Sequence, residues 1–227
     1  MSRALIIASI LVLLGGGYAL YKKTLTRPPV VAEATKNVQI TTATENEEAD
    51  TYTIDVQYPQ FGIPTIDREI KRLVELSIST FKSDVAQGPP PPGSAVTEYE
   101  FISRFDSVYV GEDAVSAKLV VSTYMGGAHG MAILNGLNFD RKTGRRLTPE
   151  DGFRMIGLTI EEVAAKAKKE LQEKLGADII APEGADPDAK NYSTFLVSAD
   201  KVTFVFQAYQ VAPYAAGAQE VSFTRVH

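Results

Sequence analysis

The stretch Tyr52–Val85, YTIDVQYPQFGIPTIDREIKRLVELSISTFKSDV, contains the change of period that decides the fold class. Apolar and polar residues alternate from Tyr52 to Tyr58, which predicts a half-buried strand that ends near Pro59. From Ile66 to Val85 the apolar residues recur every three or four positions instead, which predicts an amphipathic helix of about six turns. A strand followed directly by a long helix indicates a domain that mixes both kinds of element.

The rest of the chain adds a second helix and several strands. Thr159 and Glu162 have the spacing of a capping box, and Gly176 ends the apolar stripe that follows them. A short helix is predicted from Pro149. The order of elements lacks regular alternation of strand and helix, so we predict an α+β fold, an antiparallel sheet with two main helices packed on it. The further predicted strands span residues 95–110, 114–124, 131–140, 195–206 and 220–226.

The N-terminus predicts a membrane or export segment. Ala4–Tyr21 has no charged residue and is close to the length of about 20 apolar residues that crosses a bilayer. Residues 1–23 therefore read as a transmembrane signal anchor or as a signal peptide with a weak cleavage site at Gly17–Ala19, and both interpretations stay open. Residues 24–50 are rich in proline, threonine and acids, which predicts a flexible tether, and residues 51–227 form the predicted extracytoplasmic domain.

Composition excludes several classes of function. The chain has no cysteine, which removes disulfides, thiolate catalysis and cysteine zinc sites. Residues 28–227 carry 19 basic and 28 acidic residues, a balance that repels nucleic acid. The four basic residues of DRKTGRR (Asp140–Arg146) are typical of a solvated hairpin tip. No phosphate-binding loop is present, and His129 is the only histidine besides His227, so we predict neither a cofactor nor a metal site.

Two glycine-bearing segments are the candidate site. GGAHG (Gly126–Gly130) lies between two predicted strands, and APYAAG (Ala212–Gly217) lies near the C-terminus. We predict that their glycines shape two corners that meet and present an exposed patch. The alternatives are that His129 only fixes its loop through a hydrogen bond and that Tyr214 folds inward and holds the corner. The candidate ligand-binding residues are Tyr124, Gly127, His129, Tyr209, Pro213 and Tyr214, and no catalytic residue is assigned.

These motifs, in this order, resemble a bacterial envelope domain family of unknown function. YTIDVQYPQF, YMGGAHG, LNFDRKTGRRLTPEDGF and FVFQAYQVAPYAAG carry the resemblance, which covers Thr51–Val226. The family is similar to the extracytoplasmic domain of the lysozyme-sensing anti-sigma factor RsiV and to the N-terminal non-catalytic region of the peptidoglycan deacetylase PdaC. It implies an α+β domain outside the cytoplasmic membrane. Only Met1, Ser2 and Arg3 precede the apolar run, so we do not carry over sigma-factor binding.

The resemblance implies a binding function more than an enzymatic one. The leading hypothesis is a membrane-tethered, non-catalytic envelope domain whose partner is a lysozyme-like protein or a peptidoglycan fragment. The first alternative is a hydrolase acting on peptidoglycan or peptides, with His129 as acid–base. The second is a structural spacer domain. The sequence decides neither the ligand, nor cleavage of the N-terminal segment, nor the oligomeric state.

Overall fold

The computed structural model describes residues 39–90, 96–127 and 129–226, together with the backbone of Val31–Ala34. The strands fall into two sheets, and three helices pack against them. The larger sheet contains β1 (Val31–Ala34), β2 (Thr41–Ala49), β3 (Tyr52–Gln60), β4 (Tyr99–Val110), β5 (Ala114–Tyr124) and β6 (Met131–Asp140). The smaller sheet contains β7 (Phe195–Val197), β8 (Lys201–Phe206) and β9 (Gln219–Thr224). The helices are α1 (Pro64–Val85), α2 (Pro149–Ile156) and α3 (Ile160–Leu175).

The α+β class is confirmed, but the prediction of one antiparallel sheet is wrong. The larger sheet has the order β2-β3-β4-β5-β6, in which β3 and β4 run parallel, and β1 also pairs with β4 in parallel. The reason is α1, because a helix between two strands carries the chain back to the end where the first strand began. The segment predicted as one strand over residues 195–206 is two antiparallel strands, β7 and β8.

The tether predicted over residues 24–50 is wrong where the structure describes it. Thr41–Ala49 forms β2, paired along its whole length with β3, so the sheet begins before the predicted domain boundary at residue 51. Side-chain hydrogen bonds also connect β2 to β3 and α1. Glu45 accepts hydrogen bonds from Tyr58 of β3 and Lys71 of α1. Glu47 accepts from Tyr52 and Lys82 in the same way.

Two apolar cores flank the larger sheet. On one face α1 packs its predicted stripe against β3 and β4, and Ile66, Ile70 and Val74 are all buried there. The second core lies among α2, α3 and the smaller sheet, around the fully buried rings of Tyr192 and Phe204. The two main helices of the prediction are therefore confirmed, as is the capping box of Thr159 and Glu162.

Buried polar groups join the two sheets. The Ser116 hydroxyl of β5 donates to Asn138 Oδ1 of β6 at 2.7 Å, and both side chains are buried. Asn138 Nδ2 donates to the Phe195 carbonyl at 2.6 Å, and the Val197 amide donates to Ser116 Oγ at 3.1 Å. Because buried polar groups are costly without partners, this network fixes β7 against β5 and β6. The smaller sheet is thereby positioned over the edge of the larger one.

The N-terminal helix predicted over residues 1–23 lies outside the described residues. Among the residues that the structure does describe, no helix combines the length and the apolar character needed to span a bilayer.

Candidate functional site

The first corner is the loop Tyr124–Gly130, here called the corner loop, which connects β5 to β6. Gly126 and Gly127 both adopt φ of 96°, a backbone region that favours glycine. The Tyr124 hydroxyl donates to the Gly127 carbonyl at 3.1 Å, which ties the start of the loop to its middle. The glycines therefore have the conformational role predicted for them, and Tyr124 is used inside the loop.

The second corner is the segment Gln207–Gly217, here called the aromatic segment, which leads from β8 to β9. It begins with a turn in which the Gln210 amide donates to the Gln207 carbonyl at 3.0 Å. Tyr209 is the third residue of this turn and has φ of 69°. A position that requires positive φ is normally glycine, and the left-handed region costs other residues about 1–2 kcal/mol. The turn therefore holds a tyrosine ring where backbone energy alone favours glycine.

Hydrogen bonds bring the two segments together. The Gln207 side-chain amide contacts both backbone groups of Leu134, on the outer edge of β6: Nε2 donates to the carbonyl at 2.7 Å, and the Leu134 amide donates to Oε1 at 3.0 Å. Further along the same edge the Tyr214 hydroxyl donates to the Gly130 carbonyl at 3.1 Å. The aromatic segment is thus docked along the edge strand by two side chains. The two corners meet, as the sequence hypothesis required.

Aromatic rings form the meeting point. The imidazole of His129 stacks on the ring of Tyr214, with centroids 3.9 Å apart and planes 16° from parallel. Tyr209 lies next to Tyr214, with ring centroids 5.5 Å apart. His129 and Tyr209 are exposed and Tyr214 is half-buried. We call the surface made by His129, Tyr209 and Tyr214 the aromatic corner.

The protonation of these groups follows from their contacts. Nδ1 of His129 lies 2.9 Å from the Gly130 carbonyl. A carbonyl oxygen only accepts, so Nδ1 carries a hydrogen and donates it to Gly130. Burial raises the pKa of Tyr214, and Tyr209 raises it further, so the Tyr214 hydroxyl stays protonated and can donate to Gly130. The Tyr214 hydroxyl holds the corner, as the inward-folding alternative required. Its ring is only half-buried, and the imidazole of His129 stacks on it.

The chain segments that carry the aromatic corner are poor in charge and expose several apolar side chains. No Asp, Glu, Lys or Arg occurs between Lys118 and Asp140 or between Lys201 and Glu220. Among the described residues seven large hydrophobic side chains are exposed, and four lie in or beside the two segments. These four are Met125, Met131, Ile133 and Tyr209, with exposed fractions of 39, 41, 51 and 48%. A local concentration of exposed apolar groups marks a binding surface more often than an ordinary solvated one.

The six predicted site residues are not equivalent in the structure. His129, Tyr209 and Tyr214 form one cluster of rings, whereas Tyr124 bonds within its own loop. Pro213 is half-buried and precedes a short 3-10 helix, Tyr214–Ala216. Gly127 is exposed. Whether any of them contacts a ligand stays a prediction.

Sequence reasoning missed Gln207. The only signal was a glutamine directly after the buried run FVF of β8. It also missed Met125, Met131 and Ile133, because single apolar residues beside a glycine loop read as part of a strand.

The basic turn Asp140–Arg146 is used inside the molecule. Arg145 makes two hydrogen bonds to Asp151 of α2, at 2.7 and 3.0 Å, and Arg154 pairs with the same carboxylate. The Thr148 amide also donates to Asp151. Asp151 is 5% exposed, and chiefly the hydrogen bond from Arg145 lowers its pKa to about 2. The contact between Arg145 and Asp151 anchors the turn to α2.

Within the described part of the chain, no group of three or more His, Cys, Asp or Glu side chains has the arrangement of a metal site.

Comparison with known proteins matches both halves of the domain. A model described as "Deacetylase PdaC" matches residues 45–132, and a model of a protein of unknown function, DUF3298, matches residues 157–225. The peptidoglycan-N-acetylmuramic acid deacetylase PdaC of Bacillus subtilis (strain 168) is 24% identical over 192 residues. The chain resembles the DUF3298 family and the non-catalytic region of PdaC. The predicted resemblance to a family of unknown function and to the non-catalytic region of PdaC is confirmed.

The match to PdaC covers 83% of this chain but 40% of the length of PdaC. A DUF3298 protein of Pseudomonas aeruginosa has the same fold, with a TM-score of 0.52 and 16% identity over 83% of this chain and 91% of that one. A member of the DUF3298 family from Bacteroides fragilis gives a TM-score of 0.49 and 18% identity, covering 85% and 92% of the two chains.

The aromatic corner joins the two matched regions. His129 lies in the part that matches the PdaC model, and Tyr209 and Tyr214 lie in the part that matches DUF3298. The ring stack is therefore a contact between the two halves of the domain.

Proposed function

We propose that the chain is a cell-envelope domain that acts outside the cytoplasm and binds a ligand at the aromatic corner without transforming it. Its resemblance to PdaC, whose name gives peptidoglycan N-acetylmuramic acid as the substrate, supports the envelope location. The apolar run Ala4–Tyr21, outside the described residues, supports membrane tethering.

The observation that carries the proposal is the backbone of Tyr209. An exposed tyrosine with φ of 69° is held against its conformational preference, beside the ring of Tyr214. Strained residues persist where the surrounding structure enforces them, and they concentrate at binding and catalytic sites. Glycine would relieve the strain but would remove the ring, so the ring is the feature that the turn preserves.

The chemistry of the surface supports binding more than hydrolysis. Cleavage of a glycosidic bond normally uses two carboxylic acids that flank it, and neither converging segment contains one. The ring of His129 is stacked on Tyr214, and its Nδ1 is bonded to the Gly130 carbonyl. Tyrosine and methionine are enriched at protein interfaces, and Met125, Met131 and Ile133 offer no hydrogen bonds to a sugar. We therefore propose a protein ligand, and we choose a lysozyme-like protein because the motifs predict a likeness to the extracytoplasmic domain of RsiV.

The test measures binding of lysozyme and of a muropeptide to the full-length chain in lipid nanodiscs. The key variant is Tyr209→Gly, and the matched control is Ser107→Gly, because Ser107 also has positive φ, of 53°, but lies in the β4 bulge. Removing an interface tyrosine weakens binding on the order of tenfold or more. We expect that loss in Tyr209→Gly and unchanged affinity in Ser107→Gly.

Three outcomes contradict the proposal. If the wild-type chain binds neither molecule, the domain behaves as a spacer. If only the muropeptide binds, the protein ligand is wrong. If the muropeptide is cleaved and His129→Ala abolishes cleavage while the domain stays folded, the hydrolase alternative is correct.

A further inference from the structure

A second concave surface lies behind the aromatic segment, between α3 and the residues that follow it. It is a half-open groove with a volume of about 330 Å³. Leu171 of α3, Ala185 and Val211 form a floor whose side chains are almost fully buried. Ile179 and Pro182 complete an apolar wall. The groove is separate from the aromatic corner, although Val211 belongs to the aromatic segment.

The wall of the groove offers apolar contacts because its polar groups already have partners. The amides of Ile180 and Ala181 both donate to the Val211 carbonyl. The carbonyl of Ala185 accepts from the Tyr192 hydroxyl at 2.8 Å. A molecule in the groove therefore meets carbon atoms along most of its length. The part of a ligand that enters must be apolar for its burial to be favourable.

The mouth of the groove is polar and carries two cations. Lys168, Lys169 and Gln172 of α3 line it. Lys168 pairs with Asp186, and Lys169 lies 4.0 Å from Glu173. All four charged side chains are 42–79% exposed, and pairs this exposed contribute little. An anionic group at the mouth can therefore replace either acid as the partner of a lysine.

We propose that this groove binds a single-chain anionic amphiphile, an acyl chain with a carboxylate at one end. The chain lies against Leu171, Ile179 and Val211, and the carboxylate pairs with Lys169 at the mouth. A volume of about 330 Å³ equals that of roughly ten water molecules and fits a medium-length chain. Each buried methylene improves affinity up to about fourfold, so affinity rises with chain length until the groove is full.

The test is a titration of the full-length chain, in nanodiscs of neutral lipid, with octanoate below its micellar concentration. Methyl NMR follows Leu171, Ile179 and Val211, with the exposed Ile133 as the internal control. Octanamide is the matched ligand, because it has the same alkyl chain and an uncharged amide in place of the carboxylate. Lys169→Gln is the test variant, and Lys166→Gln is the control, because Lys166 is exposed on the same helix outside the groove.

With octanoate we expect saturable shifts of the methyl signals of Leu171, Ile179 and Val211. The methyl signals of Ile133 should not move. Octanamide should bind about two- to fivefold more weakly, the contribution of one exposed ion pair. Lys169→Gln should remove that difference, whereas Lys166→Gln should leave it. Absence of saturable shifts at the groove, or equal affinity of the wild-type chain for octanoate and octanamide, would overturn the proposal. Neither result depends on the ligand of the aromatic corner.

Discussion

The side-chain amide of Gln207 pairs with the backbone of Leu134 as a neighbouring strand would. It accepts from the Leu134 amide and donates to the Leu134 carbonyl, on the free edge of β6. Nε2 of Gln207 also donates to Thr194 Oγ1 at 3.1 Å. An edge strand with open hydrogen-bonding groups invites pairing with other chains, and this amide closes part of that edge. It also places the aromatic segment against the corner loop.

Gln207→Ala should therefore loosen the junction and weaken the aromatic corner. The half-buried Leu134 amide would lose its partner, and the Leu134 carbonyl would keep only the weaker hydrogen bond from the Thr194 hydroxyl at 3.3 Å, which costs about 1–3 kcal/mol in the free energy of unfolding. Urea unfolding of the full-length chain measures that loss. Gln87→Ala, on an exposed residue after α1, is the control and should change stability by less than about 0.5 kcal/mol. Equal stability of the two variants would show that the pairing contributes nothing.

Replacing Tyr209 with glycine should separate stability from binding. The substitution relieves the strain of positive φ but adds backbone entropy to the unfolded chain, so the free energy of unfolding should stay equal or rise by up to about 1 kcal/mol. Thermal unfolding checks this expectation. A drop of several kcal/mol would mean that the ring is needed for packing, and the argument from strain would then be wrong.

Acid should destabilise the domain partly through Asp151. Its pKa is lowered to about 2, so its contribution is complete above its ordinary value near 3.8 and is lost as the pH falls toward 2. Because the ends of Arg145 and Arg154 are exposed, we expect about 1–2 kcal/mol. Asp151→Asn should reduce stability at pH 7 by that amount and flatten the decline between pH 4 and pH 2. Glu112→Gln, in the exposed β4–β5 turn, is the control and should change stability at pH 7 by less than about 0.5 kcal/mol.

Asn138→Ala should weaken the contact between the two sheets. It leaves the buried Ser116 hydroxyl and the Phe195 carbonyl without their present partner, and it opens a small cavity. Unsatisfied buried polar groups cost about 1–3 kcal/mol each, so a loss of about 3 kcal/mol is expected in chemical unfolding. Asn135→Ala, on the same strand, removes a side-chain amide that donates to the nearby Ile133 carbonyl at 3.4 Å, and it should cost less than about 1 kcal/mol. Similar losses for the two variants would contradict the role given to the network.

Elements with a clear apolar period were predictable from the sequence, and elements held by polar contacts were not. The stripe of α1 and the alternation of β3 predicted both elements correctly. β2 has the sequence TTATENEEA, which shows no apolar alternation. Its side-chain contacts with the domain are polar instead: Glu45 bonds to Tyr58, and Glu47 bonds to Lys82 of α1. Such contacts depend on the finished fold.

The same limit applies to the candidate site. The glycines of the corner loop signalled a sharp turn, and the rings of His129 and Tyr214 were correctly placed near each other. The contact between Gln207 and Leu134 joins residues 73 positions apart, and no local pattern indicates it. The positive φ of Tyr209 was equally hidden, because turn signals in a sequence depend on glycine and asparagine.

The most direct test of the binding proposal is a methyl NMR titration of the full-length chain with lysozyme. The reporters are the Met125, Met131 and Ile133 methyls beside the aromatic corner, and the exposed methyls of Leu76 on α1 are the reference. The account predicts saturable shifts of the three reporters that disappear in Tyr209→Gly, with Leu76 unchanged. Binding that shifts Leu76 but not the three reporters, or no binding at all, would contradict it.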